Sequence, residues 1–92
     1  MIENELIEAF WISQGGKPND PADLWFYESS WDMLMPVVEK INKLDDQIHL
    51  SIRGIELIRT IRKYVSMVQI KDAHLYIVEF IKWHNSLTEI NQ

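Results

Sequence analysis

The feature that most constrains this chain is the apolar spacing in its last quarter. Between residues 70 and 87, Ile70, Ala73, Ile77, Phe80, Ile81 and His84 recur at three- and four-residue intervals, flanked by Tyr76, Val78 and Leu87. At about 100° per residue this arc covers roughly half of a helix circumference. A helix with so wide an apolar arc must be covered on several sides. The spacing therefore predicts a central helix over 70–87. Leu75 is the exception, standing among Lys71, Asp72, Glu79 and Lys82 on the polar side.

The rest of the chain supplies elements to cover it. Residues 2–14 fit a helix with Ile2, Leu6, Ala9, Phe10 and Ser13 along one face and Ile7 and Trp11 widening it. Glu3, Glu5 and Glu8 suit the positive end of its dipole, and Gly15-Gly16 ends it. Residues 15–28 are punctuated by Pro18, Asn19, Asp20 and Pro21 and read as a loop with a short turn at Asp20-Pro21. Leu24, Trp25, Phe26 and Tyr27 are too apolar for a free linker, so the loop should lie against the domain.

A second helix is predicted over 29–44. Ser29 and Asp32 have the capping-box spacing. Trp31, Leu34, Met35, Val38 and Ile41 form the inward stripe. Pro36 falls on the opposite face, where a lost backbone bond bends a helix rather than breaking it. Residues 47–61 are ambiguous. Ile48, Leu50 and Ile52 alternate as in a strand, whereas Leu57, Ile58, Ile61, Tyr64, Val65 and Val68 follow helical spacing. A helix over 52–65, with Ser51 as its cap, is favoured. The alternative is an α+β fold with a short hairpin at 47–61. The expected architecture is thus a mainly α single domain, 1–92, of about four helices.

Composition narrows the function. No cysteine is present, so disulfides, thiolate metal sites and cysteine nucleophiles are excluded. The start MIENELIEAF is acidic and amphipathic, unlike a signal peptide, and no apolar run reaches membrane-spanning length. A cytoplasmic protein with no membrane segment is expected. The net charge of −5 is unevenly spread: residues 1–46 hold ten carboxylates and three Lys/Arg, residues 47–92 four and six. Such opposed halves suit packing on one another, or head-to-tail self-association.

Few residues suggest chemistry. The imidazoles are His49, His74 and His84, and none has the three- or four-residue helical spacing of a metal pair. His84 fits either a last-turn histidine favoured by the helix dipole or a ring at the core edge. Asp32 and Glu39 share a solvated face beside lysines. Neither a phosphate-cradling glycine loop nor a nucleophile elbow occurs. No enzyme, cofactor or metal is expected. Arg59, Arg62 and Lys63, with Lys71 beyond, form the cationic cluster; it reads as a solvated face or as a nucleic-acid patch. Trp25, Phe26, Tyr27, Trp31 and Trp83 read mainly as core and core edge. Any of them left exposed would form an interaction surface, with Trp25, Phe26, Leu75 and Trp83 as its candidates.

Three blocks carry a family resemblance: NELIEAF near the start, Tyr27 with SSWDMLMPVVEKI, and VEFIKWHN at 78–85. Together they cover about a third of the chain. They resemble a family of small proteins without assigned activity from Bacteroides-group gut bacteria, their phages and mobile elements. The usual member has Tyr where His84 stands and often Trp where Met33 stands, and many have a longer, strand-like middle. The resemblance implies a cytoplasmic accessory protein and brings no catalytic residues. The resulting expectation is a non-enzymatic protein-interaction module, with self-association as one form of it. The alternative is a nucleic-acid accessory protein using residues 59–63.

Overall fold

The computed structural model describes residues 2–45 and 51–90. They form α1 (Ile2–Ser13), a 3-10 helix (Pro21–Glu28), α2 (Trp31–Asp45), α3 (Ile52–Ser66) and α4 (Ile70–Ile90). The fold is mainly α, and no strand occurs among the described residues. The hairpin alternative at 47–61 fails because 52–61 is helical. Its remaining residues before Ser51, with His49, lie outside the described residues.

The central position read for the last helix holds: α4 touches α1, the 3-10 helix, α2 and α3. It buries Ala73, Ile77, Phe80 and Ile81 completely. Against them pack Leu34, Val37, Val38 and Ile41 of α2, Leu57, Ile58 and Ile61 of α3, and Ile7 and Phe10 of α1. Each buried aliphatic side chain removes enough apolar area to stabilise the fold by roughly 1.5–3 kcal/mol. Among the described residues α3 touches neither α1 nor the 3-10 helix. The acidic and basic elements thus lie on opposite sides of the central helices.

Several local expectations need correcting. α4 runs on to Ile90, so His84 is not in its last turn. Instead its ring packs at the core edge, centroids 6.0 Å from both Phe10 and Phe80. The inward face of α1 is rotated from the one expected. Ala9 and Ser13 are exposed, whereas Asn4, Ile7, Glu8 and Phe10 are buried. α2 starts at Trp31, not Ser29. Ser29 closes the 3-10 helix, its N–H donating to the Phe26 carbonyl at 3.1 Å. α2 passes through Pro36 unbroken. The segment read as a loop is a 3-10 helix of eight residues, started by Asp20, whose Oδ1 accepts from Ala22 N at 2.9 Å. Pro21 at its first position needs no amide donor. Ser51 stands at the cap position of α3 without a side-chain capping bond.

Two helix ends share one hydrogen-bonding pattern. At the end of α1, Gly16 N donates to Trp11 O (2.9 Å) and Gly15 N to Ile12 O (3.0 Å). At the end of α3, Gln69 N donates to Tyr64 O (2.9 Å) and Val68 N to Val65 O (3.0 Å). Both are Schellman motifs, which put one residue in the left-handed conformation. That residue is Gly15 (φ 90°) in the first and Val68 (φ 56°) in the second. A β-branched residue there is strained.

Two glycines also admit tryptophans. A Cβ on Gly16 would enter the Trp11 ring, whose Nε1 donates to Lys17 O at 2.7 Å. A Cβ on Gly54 would stand 2.6 Å from the Trp83 ring. Gly54 thus lets α3 close on α4, which offsets its poor helix propensity.

Candidate functional site

α1 turns two polar residues, one helical turn apart, into the protein. Asn4 is 2% exposed and Glu8 8%. Buried polar groups persist only when hydrogen-bonded, and each of these ties down a different part of the 3-10 helix. The Glu8 carboxylate accepts from Tyr27 Oη (2.6 Å), Asn19 Nδ2 (2.9 Å) and Asn19 N (2.6 Å). Asn19 Nδ2 also donates to Tyr27 Oη at 3.1 Å. Burial works to raise the Glu8 pKa, but the bonds from Tyr27 and Asn19 outweigh it and hold the group below its ordinary range. Burial and the neighbouring Glu8 carboxylate push Tyr27 well above the usual phenol range. Tyr27 is fully buried, so it anchors the segment that carries Trp25 and Phe26.

Asn4 completes a second chain. Its Nδ2 donates to Glu28 Oε2 at 3.0 Å, and its Oδ1 lies 2.7 Å from His74 Nε2. A carboxylate only accepts, so it fixes which end of the Asn4 amide faces it. The amide oxygen must then face His74, and the ring must carry its proton on Nε2. Burial lowers the His74 pKa; the carboxylates of Glu28 and Glu3 pull the other way and lose. The ring is therefore neutral at pH 7. Beside it lies a groove of about 300 Å³ between α4, the start of α1 and the end of the 3-10 helix. Glu3, Glu28, Lys71, His74, Leu75, Val78, Glu79 and Lys82 line it. A smaller groove, about 170 Å³, lies on the other side of Asn4 against Leu24 and Trp25.

The candidate interaction residues separate. Trp25 is 52% exposed and stacks on exposed Phe26, centroids 4.2 Å apart. Leu75 is 51% exposed on the rim of the larger groove. Trp83 is not part of this surface: it is half-buried against Gly54 and Phe80. The basic residues Arg59, Arg62 and Lys63 are exposed on α3. Arg62 Nε donates to Asn42 Oδ1 (3.0 Å), and Lys63 Nζ lies 5.5 Å from the Tyr64 ring centre. Lys71 stands apart from them, on the groove rim. Met67 and Val68 follow Lys63 and are exposed, Val68 by 70%.

Among the described residues no cluster of three or more His, Asp or Glu could hold a metal, and no helix is long and apolar enough to cross a membrane. No family model, curated protein or solved structure matches the chain.

Sequence reasoning missed Asn4, Glu8, Asn19, Glu28 and His74 as a constellation. A faint signal existed. In the observed phase of α1, Asn4 and Glu8 share a face with Ile7, and only a polar partner elsewhere could make that face buriable.

Proposed function

We propose that this chain is a non-enzymatic protein-interaction module that associates with copies of itself, head to tail. The observation that carries the reading is the exposed Trp25–Phe26 stack, held out from the fold by the buried anchor Tyr27. Aromatic side chains offer large contact area at low entropic cost and are frequent binding anchors. Carboxylates flank this pair: Asp20 and Asp23 on the same segment and Glu5 of α1, which shares the smaller groove with Trp25. On the far side of the central helices, α3 carries Arg59 and Lys63 in one row with exposed Met67, and Val68 follows. One surface is acidic with an apolar centre, and the other is basic with an apolar tip. Such complementarity favours a heterologous contact between copies. The strained Val68 fits this reading, because strain at an exposed apolar position needs some compensation. The resemblance to small proteins without assigned activity from Bacteroides-group bacteria, their phages and mobile elements implies a cytoplasmic accessory role, which fits this reading.

Sedimentation velocity over a range of concentrations tests it. The weight-average coefficient should rise with concentration and fall back at high salt, which screens exposed charges. A strict monomer at low salt and high concentration would sink the proposal. The second reading, a nucleic-acid accessory role, rests on the exposed cluster Arg59, Arg62 and Lys63 of α3. Titration with DNA and RNA at low salt separates the two. Binding that disappears when Arg59, Arg62 and Lys63 become Ala would favour it, and no binding would remove it.

A further inference from the structure

From the groove beside α4, we infer a second site, for a primary ammonium carried on an alkyl stem. It stands apart from the Trp25–Phe26 contact and does not depend on self-association. His74 is 8% exposed, and its Nε2 is committed to Asn4. Among the described residues the other ring nitrogen, Nδ1, has no partner, yet none of their buried nitrogens or oxygens goes unsatisfied. Nδ1 is therefore reached from the groove. The Glu28–Asn4 chain leaves it with a lone pair, so the groove floor presents a hydrogen-bond acceptor and not a donor. The charges that act on this ring are the carboxylates of Glu28 and Glu3. A neutral acceptor in a groove that also holds the Glu3, Glu28 and Glu79 carboxylates selects a cation that donates. These groups do not converge as metal ligands do, whereas an ammonium has three donors on a freely turning stem. Apolar Leu75 and Val78 extend from the floor and would cover that stem. Lys71 and Lys82 lie eleven residues apart on α4, about 16 Å, at the two ends of the groove's α4 wall. Glu79, one turn before Lys82, balances that end.

The ligand chemistry is that of n-butylammonium or of a lysine side chain. Nitrogen-detected NMR of the His74 ring in the full chain, near pH 7.5, tests the proposal. The ring should be the Nε2–H tautomer, and titration with n-butylammonium should shift Nδ1 saturably with an affinity on the order of 1 mM. A parallel arm uses a short blocked peptide with one lysine. Tighter binding of the peptide assigns the site to a lysine side chain, and tighter binding of butylammonium to a free amine. Tetramethylammonium, which has no N–H, should leave Nδ1 unmoved. Glu3→Gln, at an exposed position, should keep the fold and weaken binding roughly fivefold. Binding should also fade as acid protonates His74. An Nδ1–H tautomer, no saturable shift in either arm, or an equal response to tetramethylammonium would overturn the assignment.

Discussion

The two sides of the molecule use one helix ending in different ways. At the end of α1 the left-handed position is Gly15, which adopts it without strain; at the end of α3 it is Val68, which does not. The sides also differ in what holds them. The α1 side is tied by a buried polar cluster, Glu8 with Tyr27 and Asn19, around an exposed aromatic pair. The α3 side is tied mainly by apolar packing, Leu57, Ile58 and Ile61 against α4, with Gly54 under Trp83 and Tyr64 stacked on Tyr76 at 5.5 Å, and by the exposed Arg62–Asn42 bond to α2. The difference teaches where each side has been left unoptimised. A polar tether fixes one geometry while leaving aromatic surface free, and an apolar seam tolerates a strained, exposed tip.

The largest effect should come from breaking the tether. Glu8→Ala strands the Tyr27 hydroxyl and the Asn19 donors in a buried site and should cost about 3 kcal/mol in urea denaturation. A loss under about 0.5 kcal/mol would mean that the cluster is incidental. On the other side, Gly54→Ala gains about 1 kcal/mol of helix propensity but drives a methyl into a rigid indole, at about 1–3 kcal/mol. A net loss of about 1 kcal/mol is expected, and a gain would show that α3 and α4 can slide apart freely.

Acid should act on the α1 side, in two stages. His74 and His84 are held below their ordinary pKa of 6.5 by burial. Their contribution is complete above pH 6.5 and is lost as pH falls through the lowered folded values. Glu8 is held below 4.5, so its contribution is lost only further down, below pH 4.5. Denaturation midpoints measured between pH 8 and pH 3 should fall in two stages. In Glu8→Gln the second should shrink. An unchanged second stage would remove Glu8 from the account.

The smallest stability effects belong to the exposed positions. Val68→Gly relieves left-handed strain of about 1–2 kcal/mol and gives part of it back as unfolded-state entropy. A gain of about 0.5–1 kcal/mol is expected, together with weaker self-association. Trp25→Ala should change stability by less than about 0.5 kcal/mol, a value that thermal unfolding can check, yet abolish association.

The apolar framework was legible in the chain, because Ile77, Phe80, Ile81, Leu34, Val38 and Ile41 repeat at helical spacing and nothing else can bury them. The middle was legible as a helix through Leu57, Ile58 and Ile61. The site was not. Asn4 and Glu8 look like solvent residues, since their burial depends on Glu28, His74, Asn19 and Tyr27 arriving from other elements. Spacing within one helix carries no information on such partners. The start of α2 was misjudged for a related reason: Ser29 can close one helix or open the next, and Phe26 decided which.

The most direct test of the central claim mixes two disabled chains. Trp25→Ala with Phe26→Ala removes the acidic face's centre and leaves α3 intact. Arg59→Glu with Lys63→Glu removes the basic face and leaves the aromatic pair intact. Each should sediment as a monomer alone. Mixed in equal amounts at low salt, they should form a dimer and nothing larger, because one good face remains on each. Two monomers that stay apart on mixing, or variants that still self-associate alone, would contradict head-to-tail association.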